Sequence, residues 1–370
     1  MILASDDYGV QCSSTVNKFW LDITLLIENS ANMGSYLRQL TLSLASELTQ
    51  LSISQTGSFT SRVSIITYAS QPKVVGNLNS YQSANEAASA LLGLSVLSGD
   101  SNSDLASALQ LAVNLTKPQS TLQRIPVIVV FAASNSGATN NLFYITQDFQ
   151  QSFGSVITVN YSPSNSNLGH ALNSTASQPE FQFNNDGNLY KNLIWAFSQV
   201  NCKCPWYEVQ LIRYDNSTNR NIRYAECYRW KQTTLSSSQA CSPGYPADFR
   251  TKDKETFIKK NLNLQNLWVV LKETPANLWI SLHKGSTNNW VWYDINGSEI
   301  PLGSYTNWYN NSLTGSCAKT AQTNQWDWST YQWVTGDCNN SDGQTNGAVC
   351  ATQACDAEHF CVLDGAVPTN

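Results

Sequence analysis

The sequence has few charged residues, because Asp, Glu, Lys and Arg together make up only 13% of its 370 positions. The formal net charge is -5, and no basic stripe runs along the chain. Nucleic-acid binding rests on neutralising phosphates with Lys and Arg, so this class of partner is excluded. Apolar runs are also short. The longest, Val127–Ala133, falls far below the roughly 20 residues of a membrane-spanning helix, so no membrane span is expected.

Catalytic patterns are missing as well. The three histidines, His170, His283 and His359, stand apart from one another, and no strand–helix context carries a phosphate-binding, dinucleotide-binding or nucleophile-elbow motif. No nucleophile has an evident base partner. We therefore expect a protein that is not an enzyme.

Cysteine and tryptophan are abundant, but only in the second half. Residues 1–200 hold one Cys and two Trp, whereas residues 201–370 hold nine Cys and ten Trp. Such a break in composition indicates a domain boundary. No pair of CxxC knuckles with zinc-site spacing occurs, so ten cysteines indicate disulfides and an oxidising compartment.

Glycosylation sequons support secretion. Seven Asn residues stand in N-x-S/T: Asn114, Asn160, Asn173, Asn216, Asn296, Asn310 and Asn339. The segment Met1–Ala4 is too short for a signal-peptide core. We therefore expect a secreted protein whose signal peptide has been removed from this sequence.

Apolar runs alternate with amphipathic stretches across residues 20–200. Strands are predicted at Ile23–Ile27, Val63–Tyr68, Val127–Phe131 and Val156–Val159, and helices at 36–48, 105–115 and 189–200. Continuous apolar strands alternating with helices predict a doubly wound, mainly parallel sheet covered on both faces. Ligands of such folds bind at the carboxyl ends of the strands.

Glu28-Asn29-Ser30-Ala31-Asn32 follows the first of these strands and resembles the metal-binding motif of the von Willebrand factor A (vWA) domain. The resemblance covers about Phe19 to Val200 and implies a metal site made of Glu28, Ser30, Asn32 and Ser103. That site is degenerate, since Glu28 replaces an Asp, Asn32 replaces a Ser, and Ala133 stands where another Asp is expected. Mg²⁺ needs near-ideal octahedral oxygen geometry. We therefore expect no bound metal and a vWA-like scaffold or protein-contact surface.

The second half resembles the C-type lectin domain, an α+β disulfide-rich fold. The landmarks are an amino-terminal hairpin at Cys204–Tyr207 and Cys227, Cys241 after a short helix, Leu278–Leu282, Trp290–Asp294, and Phe360–Val362. The resemblance implies the disulfides Cys204–Cys227, Cys241–Cys361 and Cys317–Cys350. The remaining cysteines are expected to pair as Cys12–Cys202 and Cys338–Cys355, although sequence alone does not determine connectivity.

The carboxylates that hold Ca²⁺ in sugar-binding members of that family are absent from the matching positions. Ca²⁺ takes 6–8 oxygen ligands, so we expect no Ca²⁺ site unless Asp337 and Asp342 substitute. A calcium-free ligand site remains as a prediction. The aromatic rings of Trp326–Trp333 either stack on a ligand or pack their own loop. The candidate ligand-binding residues are Asn307, Asn310, Asn311, Trp326, Trp328, Trp333 and Asn346.

The domain prediction is an amino-terminal segment at 1–18, a vWA-like domain at 19–201, a C-type-lectin-like domain at 202–365 and a tail at 366–370. This combination resembles secreted lectin-like proteins of nematodes, which implies adhesion and innate immunity. We expect a recognition protein that binds glycans or glycoproteins on microbial or cell surfaces. The alternative is a protein–protein adhesion or assembly module in which the vWA-like domain engages a partner or itself.

Overall fold

The computed structural model describes residues 8–117, 121–137, 139, 141–264, 276–310, 314–324 and 330–364. The chain forms two compact units. The α/β unit comprises Ser13–Cys202, Asp215–Asn221 and the segment from Cys355 onwards, and the β-rich unit comprises the chain up to Cys12, Lys203–Tyr214 and Ile222–Ala354. Within the described residues, no helix combines the length and apolarity needed to cross a bilayer.

A six-stranded sheet forms the centre of the α/β unit, in the order β3-β2-β1-β5-β6-β7. Neighbouring strands are parallel except for β2 and β3, which makes the sheet mixed. The strands are β1 (Leu21–Glu28), β2 (Arg62–Tyr68), β3 (Pro72–Gly76), β5 (Ile125–Ala132), β6 (Ser155–Asn160) and β7 (Gln182–Asn184). A short strand, β4 (Thr121–Leu122), lies outside this sheet.

Helices cover both faces of this sheet. The helices are α1 (Tyr36–Leu48), α2 (Ala84–Leu92), α3 (Leu105–Leu115), α4 (Leu142–Gln151), α5 (Ser166–Thr175) and α6 (Leu189–Val200). Apolar residues of α1, α2 and α6 pack in one core layer with Ile23 and Leu25, whereas those of α3, α4 and α5 pack in the other with Leu26. Alternate residues of a strand face opposite sides, which explains why β1 carries apolar residues on both faces.

The β-rich unit is built around the antiparallel pair β9 and β16. Its strand order is β13-β12-β11-β16-β9-β8, with β10 paired to β16, and β14 paired to β11 and β15. The elements are β8 (Val209–Asp215), β9 (Arg220–Gln232), α7 (Ser237–Ala240), β10 (Tyr245–Pro246), α8 (Lys252–Asn261), β11 (Asn277–Lys284), β12 (Trp290–Tyr293), β13 (Glu299–Pro301), β14 (Cys317–Gln322), β15 (Tyr331–Gly336) and β16 (Gly347–Gln353).

The boundaries near the carboxyl terminus differ from the domain prediction. The final strand, β17 (Leu363–Asp364), pairs with β4 of the α/β unit, and the indole N–H of Trp20 donates to the carbonyl of Asp356 at 2.9 Å. Residues from Cys355 onwards therefore belong to the α/β unit and do not continue a domain at 202–365. In the same way, the segment up to Cys12 belongs to the β-rich unit.

This arrangement corrects three predicted disulfides. Cys204–Cys227 forms as expected, but Cys241 pairs with Cys350, Cys317 with Cys338, and Cys355 with Cys361. The predicted pairs Cys241–Cys361, Cys317–Cys350 and Cys338–Cys355 are wrong. The reason is that the strand closing the β-rich unit is β16, which carries Cys350, and not the segment around Cys361. Cys12 and Cys202 are both disulfide-bonded as well.

Candidate functional site

Three loops of the α/β unit meet where the parallel strands β1 and β5 end. The first begins after Glu28, the second precedes α3 and contains Ser101 and Ser103, and the third follows β5 and contains Ser134. The sheet places β1 and β5 side by side, with Ile27 opposite Phe131, so the residues that follow these strands are adjacent. The sequence-predicted residues Glu28, Ser30, Asn32 and Ser103 are therefore brought together.

The Glu28 carboxylate lies at the centre of these loops and is completely buried. Its Oε2 accepts hydrogen bonds from the backbone N–H groups of Ala133 at 2.6 Å and Ser134 at 2.9 Å. Its Oε1 accepts from the hydroxyls of Ser30 and Ser134, both at 2.5 Å. A carboxylate offers about four lone-pair positions, and these four bonds occupy them all.

The surrounding side chains tie the loops to one another. The Asn32 amide donates to the Ser101 carbonyl at 2.6 Å and to the Ser134 hydroxyl at 3.0 Å. The hydroxyls of Ser103 and Ser134 lie 2.9 Å apart. Ser134 thus links all three loops, although it was not among the residues predicted from the sequence. Its position directly after Ala133, where a metal-binding carboxylate was expected, is the signal that could have identified it.

These residues do not fit an octahedral Mg²⁺ ion. The only carboxylate among them has its lone pairs filled by internal donors, and Ala133 contributes an N–H donor in place of an oxygen. Within the part of the chain described, no three His, Cys, Asp or Glu side chains are grouped as metal ligands. Burial, followed by the negative charge of Glu28, raises the pKa of the neighbouring Tyr68 phenol well above its usual value. The site is an internally hydrogen-bonded network with a single buried acid at its centre.

Exposed apolar side chains accompany this network at the same end of the sheet. Leu97 forms a bridge with Ser30 and is 48% exposed, while Phe143 and Tyr144 begin α4 and are 50% and 69% exposed. The two aromatic rings contact each other edge to face, with centroids 5.6 Å apart. The edge therefore combines a fixed polar centre with exposed apolar groups.

The residues predicted as ligand-binding in the β-rich unit have structural roles where they are described. Trp333 is fully buried and its backbone N–H donates to the Asn307 carbonyl at 2.7 Å. The Asn307 amide donates to Glu255 Oε1 at 3.0 Å, and Asn346 Oδ1 accepts from the backbone N–H of Asn277 at 2.9 Å. These three residues are therefore corrected to packing and loop-fixing roles. Asn310 is exposed, and Asn311, Trp326 and Trp328 lie outside the described residues.

Asp337 and Asp342, the alternative Ca²⁺ ligands, are exposed and line one cleft, but donors within the chain already contact both carboxylates. The Ser341 hydroxyl and the backbone N–H of Asn339 donate to Asp337, and the Ser341 hydroxyl is the main cause of its lowered pKa. The Lys319 ammonium lies 3.8 Å from Asp342 Oδ1. A resident ammonium reduces the negative charge that would attract a divalent cation.

An exposed aromatic pair lies elsewhere in the β-rich unit, and the sequence did not predict it as a site. Trp206 and Tyr207 are 64% and 53% exposed, with ring centroids 6.0 Å apart and planes nearly perpendicular. The Arg229 guanidinium lies 5.5 Å from the Tyr207 ring centroid, within cation–π range. Two exposed rings and a cation are a surface on which planar or sugar groups can stack.

Six of the seven sequon asparagines are exposed, and one is not. Asn160, the last residue of β6, is 2% exposed, and its Oδ1 accepts from the backbone N–H of Ser162 at 2.8 Å. Its prediction as a glycosylation site is therefore wrong, because the amide is inside the folded unit. The exposed sequon positions are Asn114, Asn173, Asn216, Asn296, Asn310 and Asn339.

Residues 22–194 match the family model of the von Willebrand factor type A domain, and this range lies within the α/β unit. The α/β unit is thus a vWA-like domain with a mixed sheet. No curated protein matches the chain.

Among solved structures, the chain is similar to proximal thread matrix protein 1 from the mussel byssus. The identity is 12% and the TM-score 0.42, over 55% of this chain and 50% of that protein. It is also similar to the vWF domain of the type V pili tip protein Mfa5 from Porphyromonas gingivalis. That identity is 11% and the TM-score 0.38, over 49% of this chain and 95% of that domain. The chain thus covers about half the length of the mussel protein.

Proposed function

We propose that this chain is an extracellular, non-enzymatic protein-contact module whose vWA domain binds a protein partner, or a second copy of itself, without a metal ion. The observation that carries the proposal is made at the sheet edge around Glu28. There, hydrogen bonds within the chain hold the three loops together, and exposed apolar residues lie at the same edge. The disulfides support the extracellular assignment, because such bonds persist in oxidising compartments.

The network would serve binding by fixing the loops in advance. Association costs free energy for each loop or side chain that must be ordered, and a preformed surface avoids this cost. Ser134 and Asn32 link the three loops through side-chain hydrogen bonds, so their order does not depend on a cation. Exposed aromatic residues such as Phe143 and Tyr144 are enriched in protein interfaces and among their energetic hot spots.

Site-specific photo-crosslinking tests this proposal. A benzophenone amino acid is placed at Tyr144 and, as a control, at Leu115, which is also exposed but ends α3, away from the Glu28 edge. The protein is irradiated alone and in the extracellular fluid of its source. We expect a discrete adduct at Tyr144 only, either a dimer or a complex with one partner.

Competition tests whether a complex with a separate partner is specific. In that case excess unlabelled wild-type protein should suppress the adduct, whereas excess Phe143→Ser/Tyr144→Ser protein should not, and EDTA should leave the yield unchanged. An adduct that forms equally at Leu115, or that the double variant suppresses equally well, would overturn the proposed contact face. Loss of the adduct in EDTA would overturn the metal-free mechanism.

A second candidate function is glycan recognition by the β-rich unit, and the exposed Trp206–Tyr207 pair favours it. The proposal that this unit has a C-type-lectin-like fold is supported by the amino-terminal hairpin disulfide Cys204–Cys227, which forms as the resemblance implies. The role in innate immunity that the resemblance implies would follow from binding microbial glycans.

A glycan array in the presence and absence of EDTA tests this second candidate. We expect chelator-resistant binding that Trp206→Ala weakens at least tenfold, while Tyr214→Ala, which removes another exposed ring, leaves it unchanged. Absence of binding in both conditions would reject glycan recognition and leave the protein-contact proposal standing.

A further inference from the structure

A cavity of about 680 Å³ lies in the α/β unit, between α1 and the beginning of α6. Residues of α1 form one wall, and Asn185, Gly187, Leu189 and Tyr190 form the other. A volume in this range is typical of pockets that hold small ligands or single side chains of a partner. The cavity is separate from the loops around Glu28, because none of their residues lines it.

Glu47 of α1 lines this cavity and is the feature that calls for explanation. Its side chain is 7% exposed, and its Oε1 is buried without a hydrogen-bond partner. A buried carboxyl oxygen left unpaired costs stability, so such groups are rare in folded proteins unless they have a function. Glu28, by comparison, is completely buried but accepts four hydrogen bonds.

The other lining residues show which chemistry would satisfy Glu47. The aromatic rings of Tyr161 and Tyr190 line the cavity, and the Tyr190 hydroxyl is held by a hydrogen bond to Gln50 Oε1 at 2.6 Å. Leu40, Leu42 and Leu189 add apolar walls. Aromatic faces attract cations, and apolar walls contact alkyl chains.

We propose that this cavity binds a primary alkylammonium group, with the ammonium donating to Glu47 and the alkyl chain lying against the leucines and the tyrosine rings. An ammonium has three donors and no acceptor, which suits an acceptor without a partner. A divalent metal fits poorly, since Glu47 is the only acidic residue among the residues that line the cavity. The group can come from a free amine or from a lysine side chain of another protein.

The proposal carries a distinctive pH dependence. Burial raises the pKa of Glu47 from 4.5 to about 8, so the empty site holds a neutral carboxyl group at pH 7. The ammonium binds the ionised form, and binding therefore releases a proton. Below this pKa, affinity should rise about tenfold for each pH unit. The other titratable groups lining the cavity are the phenols of Tyr161 and Tyr190, and burial, followed by the charge of Glu47, raises the pKa of the Tyr161 phenol.

Calorimetric titration of the full chain tests the site with two probes. One is n-butylammonium chloride, and the other is a tripeptide with a central lysine, compared with the same peptide acetylated at lysine. We expect saturable binding with a Kd of about 1 mM or lower at pH 7. Binding of butylammonium alone would assign the site to free amines, and binding of the lysine peptide alone would assign it to protein lysines.

Variants separate a binding role from a structural one. Glu47→Gln should weaken binding at least tenfold and abolish its dependence on pH between 6 and 8. The matched control, Glu86→Gln, replaces an exposed Glu on α2 and should change neither. Tyr190→Ala removes one wall of the cavity and should weaken the binding of both probes. This variant tests the site independently, so it remains informative if Glu47→Gln misfolds. The proposal is overturned if no probe binds, if Glu47→Gln binds equally well, or if affinity does not change with pH. It does not depend on the protein-contact face around Glu28.

Discussion

The buried carboxylate of Glu28 makes the clearest prediction about the vWA-like domain. In the variant Glu28→Gln, the amide must keep its oxygen at the Oε2 position, because the N–H groups of Ala133 and Ser134 cannot turn away. The amide NH₂ then faces the hydroxyls of Ser30 and Ser134, which can rotate to accept. The shape of the network is retained, and the charge is lost.

The size of the expected loss in stability follows from the two backbone hydrogen bonds to Glu28. A hydrogen bond to a charged group is worth about 1.5–3 kcal/mol and a neutral one about 0.5–1.5 kcal/mol, so neutralising Glu28 should cost about 2 kcal/mol. Glu28→Ala removes the acceptor, leaves the buried N–H groups of Ala133 and Ser134 without partners and opens a cavity. This variant should cost about 4 kcal/mol or more.

Thermal unfolding measured by calorimetry tests both numbers. For a domain of this size the Tm should fall by roughly 4–8 °C in Glu28→Gln and by about twice as much in Glu28→Ala. Asp148→Asn, which changes an exposed acid on α4, is the control and should shift the Tm by less than about 2 °C. An unchanged or raised Tm in Glu28→Gln would refute the view that the charged carboxylate organises these loops.

A titration with Mg²⁺ tests whether the same loops bind a metal ion. A ligand that binds only the folded state at about 100 times its Kd stabilises that state by about 2.7 kcal/mol. We expect no shift for the wild-type protein, because the four internal hydrogen bonds occupy Glu28. A raised Tm in Mg²⁺ that disappears in Glu28→Gln would contradict the metal-free network.

Three further predictions concern stability elsewhere in the chain. Burial raises the pKa of Glu47 from 4.5 to about 8, so between these pH values the folded state keeps a proton that the unfolded chain releases. The free energy of unfolding is therefore largest below pH 4.5 and falls as the pH rises towards 8. Denaturant unfolding should therefore show Glu47→Gln more stable than wild type by about 3 kcal/mol at pH 7 and equal to it near pH 4.5, whereas parallel curves would contradict this. Lys254 is fully buried, with its ammonium 2.8 Å from Glu226 and 2.7 Å from Asp248, so Lys254→Met should leave two buried carboxylates without their cation and cost about 3–5 kcal/mol in urea unfolding, and a neutral effect would contradict this. The double variant Cys241→Ala/Cys350→Ala opens a loop of 109 residues and should lower the free energy of unfolding by about 4–5 kcal/mol. The double variant Cys355→Ala/Cys361→Ala opens a loop of 6 residues and should cost about half as much. Equal losses would contradict the chain-entropy account.

The sequence predicted the α/β architecture because burial on both faces leaves a visible pattern. The strands β1, β2, β5 and β6 and the helices α1, α3 and α6 lie where their apolar runs and helical spacing placed them. The helices α2, α4 and α5 were not predicted. Helix α4 buries Leu142, Thr146 and Phe149 and exposes Phe143 and Tyr144 to solvent.

The cysteine pairing illustrates what spacing alone does not contain. Ten cysteines predicted disulfides, but the partner of Cys241 depended on whether Cys350 or Cys361 belongs to the strand that closes the β-rich unit. That strand is β16, and its register sets Cys350 opposite Arg229 of β9. The chain then returns to the α/β unit, where Cys355 pairs with Cys361. This return leaves no compositional signal.

The candidate site around Glu28 likewise has features that the sequence determined and features that only the tertiary structure decided. The sequence by itself determined which residues follow β1 and β5, that Glu28 and Ala133 stand where metal-binding aspartates were expected, and that the chain has two halves of different composition. Only the tertiary structure decided that Glu28 turns its charge towards two backbone N–H groups, that Trp333 and Asn160 are buried, and that Oε1 of Glu47 is left without a hydrogen-bond partner. Periodicity reports burial averaged over a strand or helix, whereas hydrogen-bond partners come from distant parts of the chain, and only packing brings them within reach.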